Sequence, residues 1–296
     1  MSVTDKRFED ERMVDGVLHS SLTSDELLKA VRKMEIRNDD IIVVTHTKAG
    51  TTWMQEIVSV LFYGCDFKKA DSKSIIERFL FLDIHIPECA VGPHEIADSL
   101  PSPRLIKTHF QQHQMPEQML TNKAKVVYVG RNAKDNAVSL FHFCNIVSHL
   151  RTYEWDSFFY DFCNNKAHRG SWFDINLYWW SRRNDDNVLF IKYEDMQKDL
   201  SSVIVKVSEF FGWPIPDGKL DEIVNHCSFV SMKKNPKTNY SDSTTVGVNF
   251  KASTPFMRKG KVGDWKNYFT VAQSEEFDKI YEEKMKGTGL VFDYEL

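Results

Sequence analysis

An α/β fold with a central, mainly parallel sheet flanked by helices is predicted by three observations. A strand-like run, Ile41–Thr45, turns through "TKAGTTW" directly into an apolar helical stretch. A second run, Lys125–Val129, does the same through "YVGRNAKDNAVSLFHF". A third, Val188–Tyr193, also leads into a helical stretch. Short apolar strands alternating with helices are the pattern of parallel βαβ units. No linker composition, low-complexity segment or internal repeat interrupts the chain, so one domain over residues 1–296 is expected, with a P-loop-like turn after its first sheet strand.

Each element has its own signal. After Ile41–Thr45, the residues Met54, Ile57, Val58, Leu61 and Phe62 recur at helical spacing on one face. "RLIK", Arg104–Lys107, is a short strand candidate, and "KVVYV", Lys125–Val129, is another. The helix that follows carries Ala137, Leu140, Phe141, Cys144 and Val147 along one stripe. "VLFIKY", Val188–Tyr193, reads as a strand, with a helix running on through Phe211 and a turn at "GWPIPDG", Gly212–Gly218. Ser241–Arg258 has no clear period; a loop this long in a compact domain is usually functional or disordered, and it is expected to order over bound ligands. A last helix is expected from about Val271 to Lys286.

Composition narrows the function classes. Of 296 residues, 42% are hydrophobic and 27% charged, as in an ordinary globular protein. Aromatics reach 13%, with 21 Phe, 7 Trp and 10 Tyr, which fits either an aromatic-lined pocket or an aromatic core. The net charge of -4 provides no global field for nucleic acid, so any anion site must be local. Cysteines at 65, 89, 144, 163 and 227 form no C-x-x-C pair, which argues for reduced thiols and against zinc. The first residues are polar, without a secretory h-region, and no apolar run approaches the ~18 residues of a membrane span. A soluble cytoplasmic protein is expected, with no membrane or nucleic-acid partner. Metal-ligand spacings, a G-x-S-x-G elbow and a G-x-G-x-x-G fingerprint are all missing from the sequence.

Four strings carry possible chemistry. In "TKAGTTW" the helix start offers unpaired N–H groups, Gly50 permits close approach of an anion, and Lys48, Thr51 and Thr52 add charge and hydroxyls. Yet the lysine precedes the only glycine, unlike a nucleoside triphosphate P-loop. Arg131 and Ser139 in the second strand-turn-helix suit another phosphate. In "RKGKVGDW", Arg258 and Lys259 flank Gly260. In "KTHF", His109 stands at a strand end, where α/β sites gather, and could serve as a general base. Taken alone, each string also fits a capped or solvated turn, and His109 a structural histidine.

Together and in order, these strings resemble the cytosolic sulfotransferases, as do "YEDM", "KNPKTNY" and "FMRKGKVGDWKNYFTVAQSEEFD". The resemblance covers essentially the whole chain and is closest to the phenol/estrogen-type subgroup. It implies sulfonate transfer from 3′-phosphoadenosine 5′-phosphosulfate to a hydroxyl or amine of a small acceptor, releasing adenosine 3′,5′-bisphosphate, with no metal. It assigns Lys48, Ala49, Gly50, Thr51 and Thr52 to the 5′-phosphosulfate, and Arg131, Ser139, Arg258, Lys259 and Gly260 to the 3′-phosphate. Trp53 and Phe229 would sandwich the adenine, with Tyr193, Cys227, Ser228 and Met232 around it. His109 would be the general base, with Lys48, Lys107 and Ser139 completing the catalytic set. The acceptor would meet Lys107 and His109 together with Phe81, Ile84, Phe141, Phe143, Val147, Tyr240, Phe250 and Met257. Those apolar side chains imply a flat apolar acceptor such as a phenol, with a hydroxysteroid or other alcohol as the alternative. Lys266, Thr270, Val271 and Glu275 resemble the family's dimerisation motif, implying a homodimer.

The sequence departs from the family at His46-Thr47 (usually tyrosine-proline), Ala49 (serine), Phe110-Gln111 (leucine-proline) and Cys227 (threonine). None of these removes a charged or catalytic group. Rival readings make different demands. A P-loop kinase needs a glycine before the lysine and a magnesium-holding aspartate. A non-catalytic nucleotide-binding protein would be expected to have lost His109 or Lys48.

Overall fold

The strand Ile41–Thr45 is buried along its whole length, and its alternate side chains feed two different cores. The computed structural model describes residues 11–86, 89–121, 123–241 and 255–296. In chain order the strands are β1 (Glu11–Val14), β2 (Val17–Ser20), β3 (Ile41–Thr45), β4 (Leu80–Phe81), β5 (Leu105–Thr108), β6 (Lys125–Gly130) and β7 (Val188–Lys192). The helices are α1 (Asp25–Arg32), α2 (Thr51–Phe62), α3 (Phe67–Ala70), α4 (Ile75–Arg78), α5 (Pro93–Ser99), α6 (Ala133–Ile146) and α7 (Trp155–Cys163). They continue with α8 (Trp172–Ser181), α9 (Tyr193–Lys198), α10 (Leu200–Phe211), α11 (Leu220–His226), α12 (Phe229–Lys234) and α13 (Val271–Met285).

Strands β4-β5-β3-β6-β7 form one sheet in that order, every neighbouring pair parallel. The expected fold class is met, with helices covering both faces. Ile41, Val43, Val127 and Val129 face a core closed by α2 and α10. Ile42, Val44, Val126 and Tyr128 face a core closed by α1 and α8. A third, aromatic cluster joins α6, α7 and α13 through Phe158, Phe162 and Phe277. Because all five strands run the same way, the turns after β3, β5, β6 and β7 emerge at one edge, where α/β sites form.

Several boundaries and faces differ from the sequence reading. The strand expected over Arg104–Lys107 runs Leu105–Thr108; Arg104 just before it still accepts the Ile41 N–H at 2.9 Å while its side chain donates to Asp40. Tyr193 opens α9 instead of ending β7, and the helix expected through Phe211 breaks at Asp199, which caps α10 by accepting from Ser202 N–H. Helix α2 is buried nearly all round, not along one stripe. Its Glu56 is met there by Arg78 at 2.8 Å and by His226 Nε2 at 2.8 Å. The β1–β2 hairpin was not foreseen, although Asp15-Gly16, with φ of 51° and 77°, is a recognisable tight-turn pair. No helix among the described residues is long and apolar enough to cross a membrane. Most of the Ser241–Arg258 segment, residues 242–254, lies outside the described residues, and Phe250 with it.

Candidate active site

The loop between β3 and α2 takes a conformation that most residues avoid. Lys48 has φ of 72° and Gly50 φ of 114°. Gly50 is the N-cap of α2 and supplies no capping side chain, so the first-turn amides have no intrahelical partner. A Cβ at Gly50 would lie 2.8 Å from Cδ2 of Tyr193, so glycine is required by space as well as by φ. The Lys48 ammonium sits 3.4 Å from the centroid of the Phe256 ring and 5.2 Å from that of Phe143. Burial, with Arg131 and Arg258 nearby, lowers its pKa from 10.5 to about 7.

A second turn starts α6, where Asn132 accepts from the Asp135 N–H. Arg131 bridges the two turns: its Nη1 donates to the Lys48 carbonyl at 3.2 Å and its Nη2 to the Lys261 carbonyl at 3.2 Å. Its guanidinium lies 4.3 Å from the Tyr193 ring centroid, and its buried Nε has no hydrogen-bond partner within the protein. Arg258 and Lys259 converge on Asp264, each at 2.5 Å. Although burial works the other way, hydrogen bonds from Lys259, Arg258 and Asn267 bring the Asp264 pKa down to about 2. Gly260, at φ of 63°, lies against Phe229 so closely that a Cβ would come within 2.3 Å of the ring. Trp53 donates its indole N–H to the Cys227 carbonyl at 2.7 Å and meets Tyr193 edge-on.

His109 follows β5 and is pinned twice. Its Nδ1 lies 3.0 Å from the Thr45 carbonyl oxygen. A carbonyl only accepts, so Nδ1 carries the proton and Nε2 keeps its lone pair. Thr45 Oγ1, 3.1 Å from the same nitrogen, is also 2.7 Å from Thr51 Oγ1, which ties the ring to the start of α2. The His109 backbone N–H donates to Asp83 Oδ2 at 2.8 Å. Burial, then Lys107 and Arg169, hold the imidazole pKa well below its ordinary range. Lys107 lies over the Phe81 ring at 4.4 Å.

These groups line one cavity of about 830 Å³. It brings together Lys48, Gly50, Thr51, Thr52 and Trp53 from the first turn, with Arg131 and Ser139 from the second. Tyr193, Phe229, Arg258, Lys259 and Gly260 line it too. So do Lys107 and His109, with Phe81, Ile84, Phe143, Val147, Tyr240 and Met257. Five expected residues stand behind the wall. Ala49 is buried beneath the loop, its N–H donating to the His46 carbonyl. Cys227 is buried and presents its carbonyl to Trp53. Ser228 caps α12, and Met232 is buried in the core under it. Phe141, expected at the acceptor, does not line this cavity. Its half-buried ring packs beside the aromatic cluster, 5.4 Å from Trp155, 5.6 Å from Phe158 and 6.4 Å from Tyr268. Thr45, Asp83 and Arg169 were missed; each acts across the chain, and no local spacing marks it. Glu56, Asp71 and His226 come close enough to share an ion, but Glu56 is already taken by Arg78 and His226.

The sulfotransferase-domain family model matches residues 38–289. The chain belongs to the sulfotransferase family. Human sulfotransferase 1C2 is 40% identical over 285 residues, covering 96% of this chain and 95% of the relative. Bovine sulfotransferase 1A1 is 39% identical over 272 residues, 92% of each chain. The structure of mouse sulfotransferase SULT7A1 complexed with PAP superposes with a TM-score of 0.78 at 31% identity, covering 94% of both chains. Retinol dehydratase in complex with androsterone and inactive cofactor PAP superposes with a TM-score of 0.84 at 25% identity, covering 95% of this chain and 90% of that one. The chain is therefore a sulfotransferase, an enzyme of sulfonate transfer.

Proposed function

We propose that this sulfotransferase moves a sulfonate group from 3′-phosphoadenosine 5′-phosphosulfate to the hydroxyl of a small apolar acceptor, a phenol, with His109 as general base. The observation that carries the proposal is the His109 tautomer: Nδ1 is committed to Thr45, leaving Nε2 to take a proton. Solved relatives that hold PAP support the nucleotide.

The residues present fit such a donor. It has two separated anions, and the cavity has two anion-receptive turns. Gly50 and Gly260 let the two loops pack directly against Tyr193 and Phe229, and the buried Nε of Arg131 lacks a partner within the protein. When bound, the donor supplies a sulfonate on a phosphate-linked oxygen. Lys48, Gly50, Thr51 and Thr52 would hold that end, and Arg131, Ser139, Arg258, Lys259 and Gly260 the 3′-phosphate, with Trp53, Phe229 and Tyr193 at the base. His109 Nε2 takes the proton of the acceptor hydroxyl. Lys48 and Lys107 supply positive charge where negative charge develops, so the protein contributes positioning and electrostatics.

Phe81, Ile84, Phe143, Val147, Tyr240 and Met257 make the acceptor end apolar, and none of them offers a carboxylate to an ammonium-bearing acceptor. Assembly as a homodimer through Lys266, Thr270, Val271 and Glu275 belongs to the same proposal; Val271 is 77% exposed, and Thr270 is fixed as the cap of α13. The deciding experiment is a kcat/KM comparison of phenols, hydroxysteroids, catecholamines and aliphatic alcohols with labelled sulfonate donor. Phenols should lead. A lead for an aliphatic alcohol or a hydroxysteroid overturns the acceptor assignment, and no transfer to any acceptor overturns the donor assignment.

A further inference from the structure

We propose that Arg169 is a positioning residue for sulfonate transfer, acting on His109 through the carboxylate of Asp83. The proposal rests on the reading of His109 as the base. Arg169 stands in the connection between α7 and α8, at φ of 72°, with its side chain 4% exposed. Its backbone is fixed at both groups: its N–H donates to the Leu18 carbonyl at 2.9 Å, and its carbonyl accepts from Gln111 Nε2 at 2.8 Å. Its Nη1 lies 3.3 Å from Asp83 Oδ2 and donates to His19 Nδ1 at 2.8 Å. The guanidinium thus joins the N-terminal hairpin to the carboxylate.

Asp83 then holds the catalytic strand end. Its Oδ2 accepts the His109 N–H at 2.8 Å and its Oδ1 accepts the Thr108 hydroxyl at 2.6 Å. His109 is the first residue past β5, so this side chain replaces the ladder partner that the strand no longer supplies. The ring is pinned by Thr45 and the backbone by Asp83; loss of either frees Nε2 to wander from the acceptor oxygen.

A fully buried carboxylate stays ionised only with compensation. The groups that face Asp83 are Arg169 from the α7–α8 connection, Lys107 and Thr108 from β5, and the His109 N–H. Burial pushes the Asp83 carboxyl up, and Arg169 is the largest opposing influence. Lys107 is turned toward the Phe81 ring, so Arg169 is the ion-pair partner. Without it, Asp83 takes up a proton at higher pH, and the His109 N–H loses a charged acceptor. The lost activity must therefore appear as pH falls and return as pH rises.

The test uses the full chain with saturating donor and a phenol acceptor, comparing Arg169→Met, Arg169→Lys and Asp83→Asn from about pH 6 to about pH 8.5. Arg169→Met should lower kcat about tenfold or more at the acid end, since small misplacements of a reacting group have effects of that order. It should recover to within about threefold of the parent at the alkaline end, with the donor KM changed less than about twofold. Arg169→Lys should stay near the parent. Asp83→Asn should show a lowered kcat that does not vary over the same range. An Arg169→Met enzyme that keeps the parent pH profile, at full or uniformly reduced kcat, overturns the proposal. Should Arg169→Met fail to fold, the Asp83→Asn/Arg169→Met pair removes both charges together. A low, pH-flat kcat with intact affinity for adenosine 3′,5′-bisphosphate supports the proposal, and a parental kcat overturns it. The base assignment fails separately, if His109→Ala keeps its turnover.

Discussion

His109 and Thr45 meet through Nδ1 and a main-chain carbonyl oxygen, 3.0 Å apart, so the base is oriented by backbone as well as by the Thr45 hydroxyl at 3.1 Å. No exchange of the Thr45 side chain removes that carbonyl. His109→Ala does remove the base. We expect turnover to fall about 10²–10⁴-fold, the usual worth of a positioned base. Affinity for adenosine 3′,5′-bisphosphate, by calorimetry, should stay within a few-fold. Near-normal turnover would contradict the assignment.

Lys48 gives a proton-linkage prediction. Its pKa in the ligand-free cavity is lowered from 10.5 to about 7. A bound anion favours the charged form and raises that pKa. Product-nucleotide affinity is therefore fully expressed below the ligand-free value and declines as pH rises above it. At about pH 8, binding should take up close to one proton, measured as the difference in binding heat between buffers of unlike ionisation enthalpy. Lys48→Arg, always charged, should abolish the uptake. Equal heats for the parent enzyme would refute the linkage.

Gly50→Ala places a Cβ 2.8 Å from Tyr193 at φ of 114°. The backbone strain alone is of order ~1–3 kcal/mol. The variant should melt several degrees lower and lose nucleotide affinity, because relieving the clash moves the ring that also carries Arg131. An unchanged melting temperature together with unchanged affinity would argue against a rigid turn.

Arg104→Met tests stability through a buried ion pair. Arg104 and Asp40 are both fully buried as side chains, and Arg104 Nε donates to Asp40 Oδ1 at 2.8 Å. Removing one partner of such a pair leaves an uncompensated charge and costs about 3–5 kcal/mol. Urea unfolding should show it as a lowered midpoint. A midpoint within error of the parent would mean that Asp40 finds compensation elsewhere.

The parts of the site that could be read from the sequence were those built within a few residues. "TKAGTTW", Arg131 and "RKG" each combine a strand end or loop with a glycine or cation, and that chemistry is local. The alternation of Ile41, Ile42, Val43 and Val44 between two cores requires helices on both faces, which a continuous apolar strand already suggests. Asp83 and Arg169 were invisible because their partners lie far along the chain, 26 residues away for the bond from Asp83 to His109. Phe141 shows what helical spacing leaves open: it does not say which neighbour a ring meets, and this one lies beside Trp155 and Phe158 of α7. The hairpin was legible in principle, through Asp15-Gly16 between "ERMV" and "VLHS".

The register between β3 and β6 pairs Thr45 with Val129, so the two anion-receptive turns leave adjacent strands at the same height. Adjacent strands stand ~4.8 Å apart. That interval belongs to the hydrogen-bonded backbone, and it makes the protein a ruler. The first residues of the two turns are held that far apart whatever side chains the turns carry. Replacing side chains in either turn changes how tightly a mark is held, but the distance between the marks can be redrawn only by sliding a strand.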